Sequence, residues 1–251
     1  MLRGERSLGP VSLSPTKPLP MTLGDDPPRS APGLGILVTM LRPTLTTLAL
    51  AGCLACGSPE PPAEQLFNGT DLTGWRHVGR GEFVVEDGAL MTSGGMGLLV
   101  YDGKEIGDAV LRVVYKPDGP ESNAGVFIRA PEKPHDPWFA VHKGYEVQIQ
   151  DTADEFHRTG SIYSLAPATD FPASEDGWNT MEITLAGQIT RISVNGQVVN
   201  EFDGTQEVPE RKKWFEPQRG PRPDFGYIGL QNHDQNSIVR FREVSVRPLA
   251  E

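Results

Sequence analysis

From Leu66 to Leu249 the chain repeats one device: short runs in which apolar and polar residues alternate, separated by turn-forming residues. A period of two puts successive side chains on opposite faces of an extended chain, so each run specifies a strand with one face to bury. Sustained 3.6-residue periodicity is almost missing. "EFVVEDGAL" holds a strand, an Asp87-Gly88 turn and a return strand, and "ITRISVNGQVVNEF" repeats the arrangement around Asn195-Gly196. Such pairs tolerate the positive φ angles of two-residue hairpin turns. With "AVLRVVYK", "NAGVFIRA", "YEVQIQD", "NTMEITLAG", "YIGLQN" and "IVRFREVSVRPL", they predict about ten strands. The fold class that follows is all-β, a two-sheet antiparallel sandwich, for which a jelly roll is one common solution. Trp75 and Trp178, at the opening turns of strand segments, read as core plugs.

The residues before this pattern are of another kind. Residues 1–39 are proline-rich and precede a second start at Met40, and read as an over-extended gene start or a disordered leader. Residues 40–52 combine a short basic start with an apolar run too short to span a bilayer, which is the pattern of an export signal. Leu50-Ala51-Gly52-Cys53 resembles the bacterial lipobox, which predicts lipidation of Cys53 and an anchor in the bacterial cell envelope. Residues 53–65 then serve as a stiff tether, and 66–249 as the single folded domain. Both cysteines, Cys53 and Cys56, precede that domain, which leaves it no disulfide framework. A net charge of −10, on a chain whose leader is itself slightly basic, argues against a nucleic-acid partner.

One strand has an unusual polar face. In "GYEVQIQD", Tyr145, Val147 and Ile149 line one side, while Glu146, Gln148 and Gln150 line the other. One acid and two amides suit hydrogen bonding to hydroxyls as well as they suit water. Long loops rich in Pro, Gly, charge and aromatic residues interrupt the strands, and loops over a rigid sheet are where binding usually resides.

"LFNGTDLTGW", "NAGVFIRAP", "GYEVQIQD", "DGWNTMEI", "VNGQVVNEF" and "GYIGLQNHD" with "VRFREVSVRPL", in this order over residues 66–249, closely resemble the bacterial 3-keto-disaccharide hydrolase family. The resemblance implies a concanavalin A-like lectin/glucanase jelly roll that cleaves glycosides already oxidised to a ketone at C3. It also implies functional coupling to a sugar 3-dehydrogenase that supplies the oxidised (3-keto) sugar. Two positions depart from the family pattern: Ala124 where Ser is usual, and Asp234 where Gly usually follows the histidine.

Retaining glycosidases need two carboxylates about 5–5.5 Å apart. Here Gln148 and Gln150 follow Glu146 on its face, so a second acid is present only if Asp151 turns inward. A 3-keto sugar needs less, because the ketone acidifies the C2 proton. One general base then suffices for 1,2-elimination if an electrophile holds the enolate at O3. Glu146 is the candidate base, metal ligation and plain sugar binding being its other readings. If their strands lie beside that of Glu146, alternation lets Arg129, Gln231 and His233 share its concave face, with Arg129 suited to an oxyanion or hydroxyl and His233 to acid/base work or metal ligation. Gln148, Gln150, Gln231 and Asp151 are the candidate hydrogen-bonders to sugar. Tyr163 and Trp138, with Phe156 and Trp214, are the candidate stacking rings. No spaced metal motif occurs, and a divalent metal stays open through Glu146, Asp151 and His233. His135, His142 and His157 lie on loops and read as solvated. The alternative to an enzyme is a non-catalytic, lectin-like carbohydrate-binding module, which would equally lack the second carboxylate. Cleavage alone, hydration of the eliminated glycal, or both remain open.

Overall fold

The computed structural model describes residues 60–249. The leader, the signal-like segment, Cys53 and most of the tether lie outside these residues, and so do the expectations made for them. Within them the chain forms β1 (Glu64–Gln65), β2 (Trp75–Gly79), β3 (Glu82–Glu86), β4 (Ala89–Ser93), β5 (Gly97–Tyr101), β6 (Ala109–Pro117) and β7 (Ala124–Ala130). There follow α1 (Pro137–Lys143), β8 (Tyr145–Ile149), β9 (Asn179–Ala186), β10 (Ile189–Val194), β11 (Gln197–Asp203), β12 (Tyr227–Asn232) and β13 (Val239–Pro248). The larger sheet runs β11-β10-β9-β6-β13-β4-β3, with β1 added along β13; the smaller runs β2-β5-β12-β7-β8. Every pairing is antiparallel. This is the expected two-sheet jelly-roll sandwich. Thirteen strands stand where about ten were expected. Part of the excess comes from the two-residue β1, which is too short to show a period.

Alternation builds the core. On β9, Met181, Ile183 and Leu185 are fully buried while Thr180, Glu182 and Thr184 are not, and β6 offers Leu111, Val113 and Tyr115 to the same interior. The smaller sheet answers with Val126 and Ile128 of β7, Tyr145, Val147 and Ile149 of β8, and Ile228 and Leu230 of β12. A register shift between Phe241 and Glu243 adds one residue to β13, so Phe241 and Val244 both point inward although three positions apart. Each such aliphatic side chain contributes about 1.5–3 kcal/mol on burial.

Both sequence-read hairpins are present, with φ of 49° and 76° at Asp87-Gly88 and 51° and 80° at Asn195-Gly196. Positive φ at both central positions gives the turn the twist of its strands. Trp75 is a core residue, its indole N–H donating to Leu66 O at 2.8 Å. Trp178 is not. It lies half-buried on the outer face of the larger sheet, under the Arg242 guanidinium at 4.5 Å and the Lys116 ammonium.

Strand β8 is buried on both faces at all five of its residues, as its neighbour β7 is at all seven. Its core face is apolar as expected. What covers the polar face is the site.

Candidate functional site

Three pieces close over the outer face of the smaller sheet. The first is α1, started by Asp136, whose carboxylate accepts from Phe139 N at 3.0 Å, and by a proline at its first position. Its Ala140 and Val141 pack on Leu98 and Val100 of β5 and Phe127 of β7, a small second core on that face. The second is the segment after β8, which turns back along the free edge of the sheet. Tyr163 N donates to Glu146 O at 2.9 Å, Gly160 N to Gln148 O at 2.9 Å, and Gln148 N to Ser161 O at 3.0 Å. These bonds satisfy the edge and carry the loop side chains over β8. The third is the loop between β11 and β12. Its Arg222 reaches Gly144 O at 3.1 Å, His142 O at 3.2 Å and Gln218 O at 2.8 Å, and so clamps the loop to the end of α1.

Under these pieces lies a cavity of about 310 Å³. Glu146, Gln148 and Gln150 line its floor, joined by Asn123 and by Gln231 and His233 from β12 and its end. Trp138, Val141, Met96, Phe215, Tyr163 and His157 form the walls. Polar floor and ring-bearing walls are the combination that binds a sugar, whose hydroxyls need partners and whose C–H faces pack on rings.

Glu146 is 6% exposed, and burial pushes its carboxyl up to about 8, against a hydrogen bond from Gln231 that lowers it. Gly125, next to it on β7, has no side chain for a reason: a Cβ there would stand 2.6 Å from Glu146 Oε1 and 2.8 Å from its Cγ. Gln148 Nε2 donates to Asn123 Oδ1 at 3.2 Å, and Asn123 Nδ2 donates to Gln150 Oε1 at 3.3 Å. That chain of amides fixes the floor but leaves buried oxygens over. Gln148 Oε1 and Gln231 Oε1 are both buried and have no partner. A buried acceptor without a donor costs about 1–3 kcal/mol. Both are therefore free to accept from a donor such as a hydroxyl group.

Two histidines reach the cavity, each with a carboxylate behind it. His233 Nδ1 bonds Asp234 Oδ2 at 2.9 Å. Partial burial pushes the Asp234 carboxyl up, but hydrogen bonds from His233, Asn236 N and Ser237 outweigh it and hold it below its usual range. Asp234 thus orients the imidazole. His157 Nδ1 bonds Asp154 at 2.8 Å, and its Nε2 meets Ser164 Oγ at 3.0 Å. His157 also lines a second cavity of about 220 Å³ with Asp154, Phe156, Ser164 and Lys212.

Most of the sequence-derived candidates meet here: Glu146, Gln148, Gln150, Gln231, His233, Tyr163 and Trp138 all line the larger cavity. Arg129 does not. Tyr227 pairs with Ala130 but Gly229 with Phe127, so β7 carries one residue more than β12 between those pairs. Arg129 takes φ +54° at this bulge, and its guanidinium turns away to Pro223 O and Gly187 O, with Asp224 at 3.8 Å. It is 1% exposed and spent on holding loops.

Asp151 is likewise elsewhere, accepting from Thr159 Oγ1 at 2.6 Å at the rim of a separate hollow with Arg158 and Asp170. The larger cavity therefore has one carboxylate in its lining. Nor do Glu146, Asp151 and His233 assemble: among the described residues no three His, Cys, Asp or Glu side chains come close enough to hold a metal ion. Trp214 packs at a tilt against Trp138, ring centroids 4.8 Å apart, as an outer rim, and Phe156 belongs to the second cavity.

Sequence reasoning missed His157, Asn123 and Phe215 as lining residues. His157 was legible in principle, since "DEFH" places an acid three residues before it in a loop that must return to β8. Asn123 and Phe215 arrive through tertiary structure that no local pattern encodes.

A family profile described as the 3-keto-alpha-glucoside-1,2-lyase-like domain matches residues 62–247. No curated protein matches this sequence significantly. Among solved structures, two candidate glycosyl hydrolases from Parabacteroides distasonis ATCC 8503 are similar. One is 23% identical, with a TM-score of 0.60 over 75% of this chain and 100% of its own. The other is 20% identical, with a TM-score of 0.61 over 75% and 94%. A Bacillus subtilis protein of unknown function with a galectin-like fold is 16% identical, with a TM-score of 0.52 over 74% and 94%. At these identities the structures bear on the fold alone, and they agree with the two-sheet sandwich described above.

Proposed function

We propose, from the premise that this chain belongs to the 3-keto-alpha-glucoside-1,2-lyase-like domain family, that it cleaves 3-keto-glycosides by 1,2-elimination with Glu146 as the base. The observation that carries this reading is the single buried carboxylate. Two-carboxylate hydrolysis has no second acid in the cavity. Elimination beside a ketone requires only one base, and a carboxyl raised to about 8 by burial is a strong base once ionised.

The steps follow from the lining. Glu146 takes the proton from C2, and the electron pair moves into an enolate whose charge gathers on O3. His233, its ring held by Asp234, is the lining side chain suited to face that oxygen. The C1–O bond then breaks, the leaving oxygen takes a proton, and an unsaturated 3-keto glycal remains. Addition of water to that glycal completes a net hydrolysis. The unpartnered Gln148 and Gln231 oxygens accept from sugar hydroxyls and hold the ring over the base.

Outside the described residues, the reading includes export and lipidation at Cys53, which would place the domain at the cell envelope. The test uses matched 3-keto and unoxidised glucosides, with aglycone release as readout. Release from the keto substrate alone is expected. Turnover of the unoxidised sugar would sink the mechanism, and tight binding of either without turnover would favour a lectin.

A further inference from the structure

Asp154, His157 and Ser164 lie in one line of hydrogen bonds that the floor chemistry above does not use. Asp154 accepts from Nδ1, which leaves Nε2 facing the Ser164 hydroxyl at 3.0 Å. The serine is held there against its own backbone preference, at φ +57°, where a residue with a Cβ is strained and glycine is not. Its position in space matters as well. His157 is the one residue that lines both cavities: Glu146 faces the larger, and Ser164 faces the smaller. A glycoside whose C2 stands over Glu146 and whose aglycone leaves the larger cavity on this side must carry its C1–O bond past His157.

We propose that Asp154, His157 and Ser164 are a proton relay that protonates the departing oxygen at the junction of the two cavities, with the keto sugar in the larger cavity and its leaving group in the smaller. The relay rests on the elimination reading of the preceding section and supplies the proton that reading needs. As the C1–O bond breaks, Ser164 Oγ gives its proton to the leaving oxygen, and the protonated His157 returns one from Nε2 to Oγ. Asp154 is a positioning residue: it fixes the ring with Nε2 toward Ser164. The proton Glu146 has taken from C2 passes to solvent, and His157 takes its next proton from solvent, so the cycle balances without a further reagent.

A purely structural role for the three residues makes a different prediction, and leaving groups separate the two. The intact protein would be assayed with two 3-keto-glucosides, one releasing 4-nitrophenolate, which is stable as an anion, and one releasing methanol, whose anion is not. His157→Gln and Ser164→Gly should each slow methanol release by about 100-fold and nitrophenolate release by less than about threefold, the usual range for loss of a general acid being 10²–10⁴. Ser164→Gly removes the hydroxyl at a backbone angle that glycine prefers, so a folded variant is expected and is checked by its melting temperature. Equal slowing of both substrates, or slowing of neither, overturns the relay while leaving the elimination intact. Absence of release from both keto substrates by the unaltered protein overturns the elimination reading itself, and the relay with it.

Discussion

Glu146→Gln should make the protein more stable while abolishing its turnover, and the gain should depend on pH in a way fixed by burial. The side chain is 6% exposed, and its carboxyl is pushed from an ordinary 4.5 to about 8. A carboxyl whose pKa rises on folding favours the fold fully only while it is protonated in both states. That contribution is present below 4.5 and is lost as pH climbs to about 8, because the unfolded chain ionises first. At about 1.4 kcal/mol for each unit of the gap, the native protein forfeits up to about 5 kcal/mol once both states are ionised. The same linkage gives about 1 kcal/mol at pH 5 and about 3 kcal/mol at pH 7. Glutamine keeps the shape, still accepts from Gln231, and cannot ionise. Any constant cost of burying its amide shifts the whole curve without changing its slope.

Urea unfolding of both proteins at pH 5, 7 and 9, followed by tryptophan fluorescence, measures the difference directly. The variant should gain on the native protein by about 4 kcal/mol between pH 5 and 9. All other titrating groups are shared and cancel. A difference that stays flat within about 0.5 kcal/mol would show that the Glu146 carboxylate is solvated or paired, and the case for a poised base would go with it.

The kinetic counterpart, read with the 4-nitrophenyl keto substrate whose departure needs no acid, is a kcat/KM that rises with pH through an apparent value near 8, as the free enzyme's base ionises; a plateau already reached at pH 6 would refute it. Gly125→Ala puts a Cβ 2.6 Å from Glu146 Oε1, and should cost at least tenfold in kcat/KM and about 1–3 kcal/mol of stability, read by turnover and by urea unfolding. Arg129→Met strips the guanidinium from Pro223 O and Gly187 O and should destabilise by about 2–4 kcal/mol. At a temperature where that variant remains folded, its kcat/KM should stay within threefold of the native value, and a larger loss would return Arg129 to the chemistry.

The errors of sequence reading have separable physical causes. Phase is legible wherever the strand keeps its period, which is why alternation puts Glu146 and Gln148 on one face of β8 and Gln231 opposite Ile228 and Leu230 on β12, while the sheet order brings those faces together. The same rule places Trp178 correctly when it is applied through β9: with Met181, Ile183 and Leu185 inside, an even-numbered neighbour points out. That miss came from weighing residue type above phase. Arg129 is a different case, because one extra residue in β7 resets the alternation between Phe127 and Ala130. The bulge has no glycine to announce it; the strained position is occupied by the arginine itself at φ +54°. Only the carbonyls of distant loops, at Pro223 and Gly187, make that conformation favourable, and they lie 94 and 58 residues away in the chain. His157 falls between these cases. Its acid is local, but its meeting with Glu146 depends on backbone bonds from Gly160 and Tyr163 to β8. Those bonds exist because β8 is an edge strand whose polar groups need partners, and its edge position follows from sheet order rather than from any residue in it. A sequence can thus state which side chains are able to do the chemistry, while the strand order and one irregularity decide which of them are present to do it.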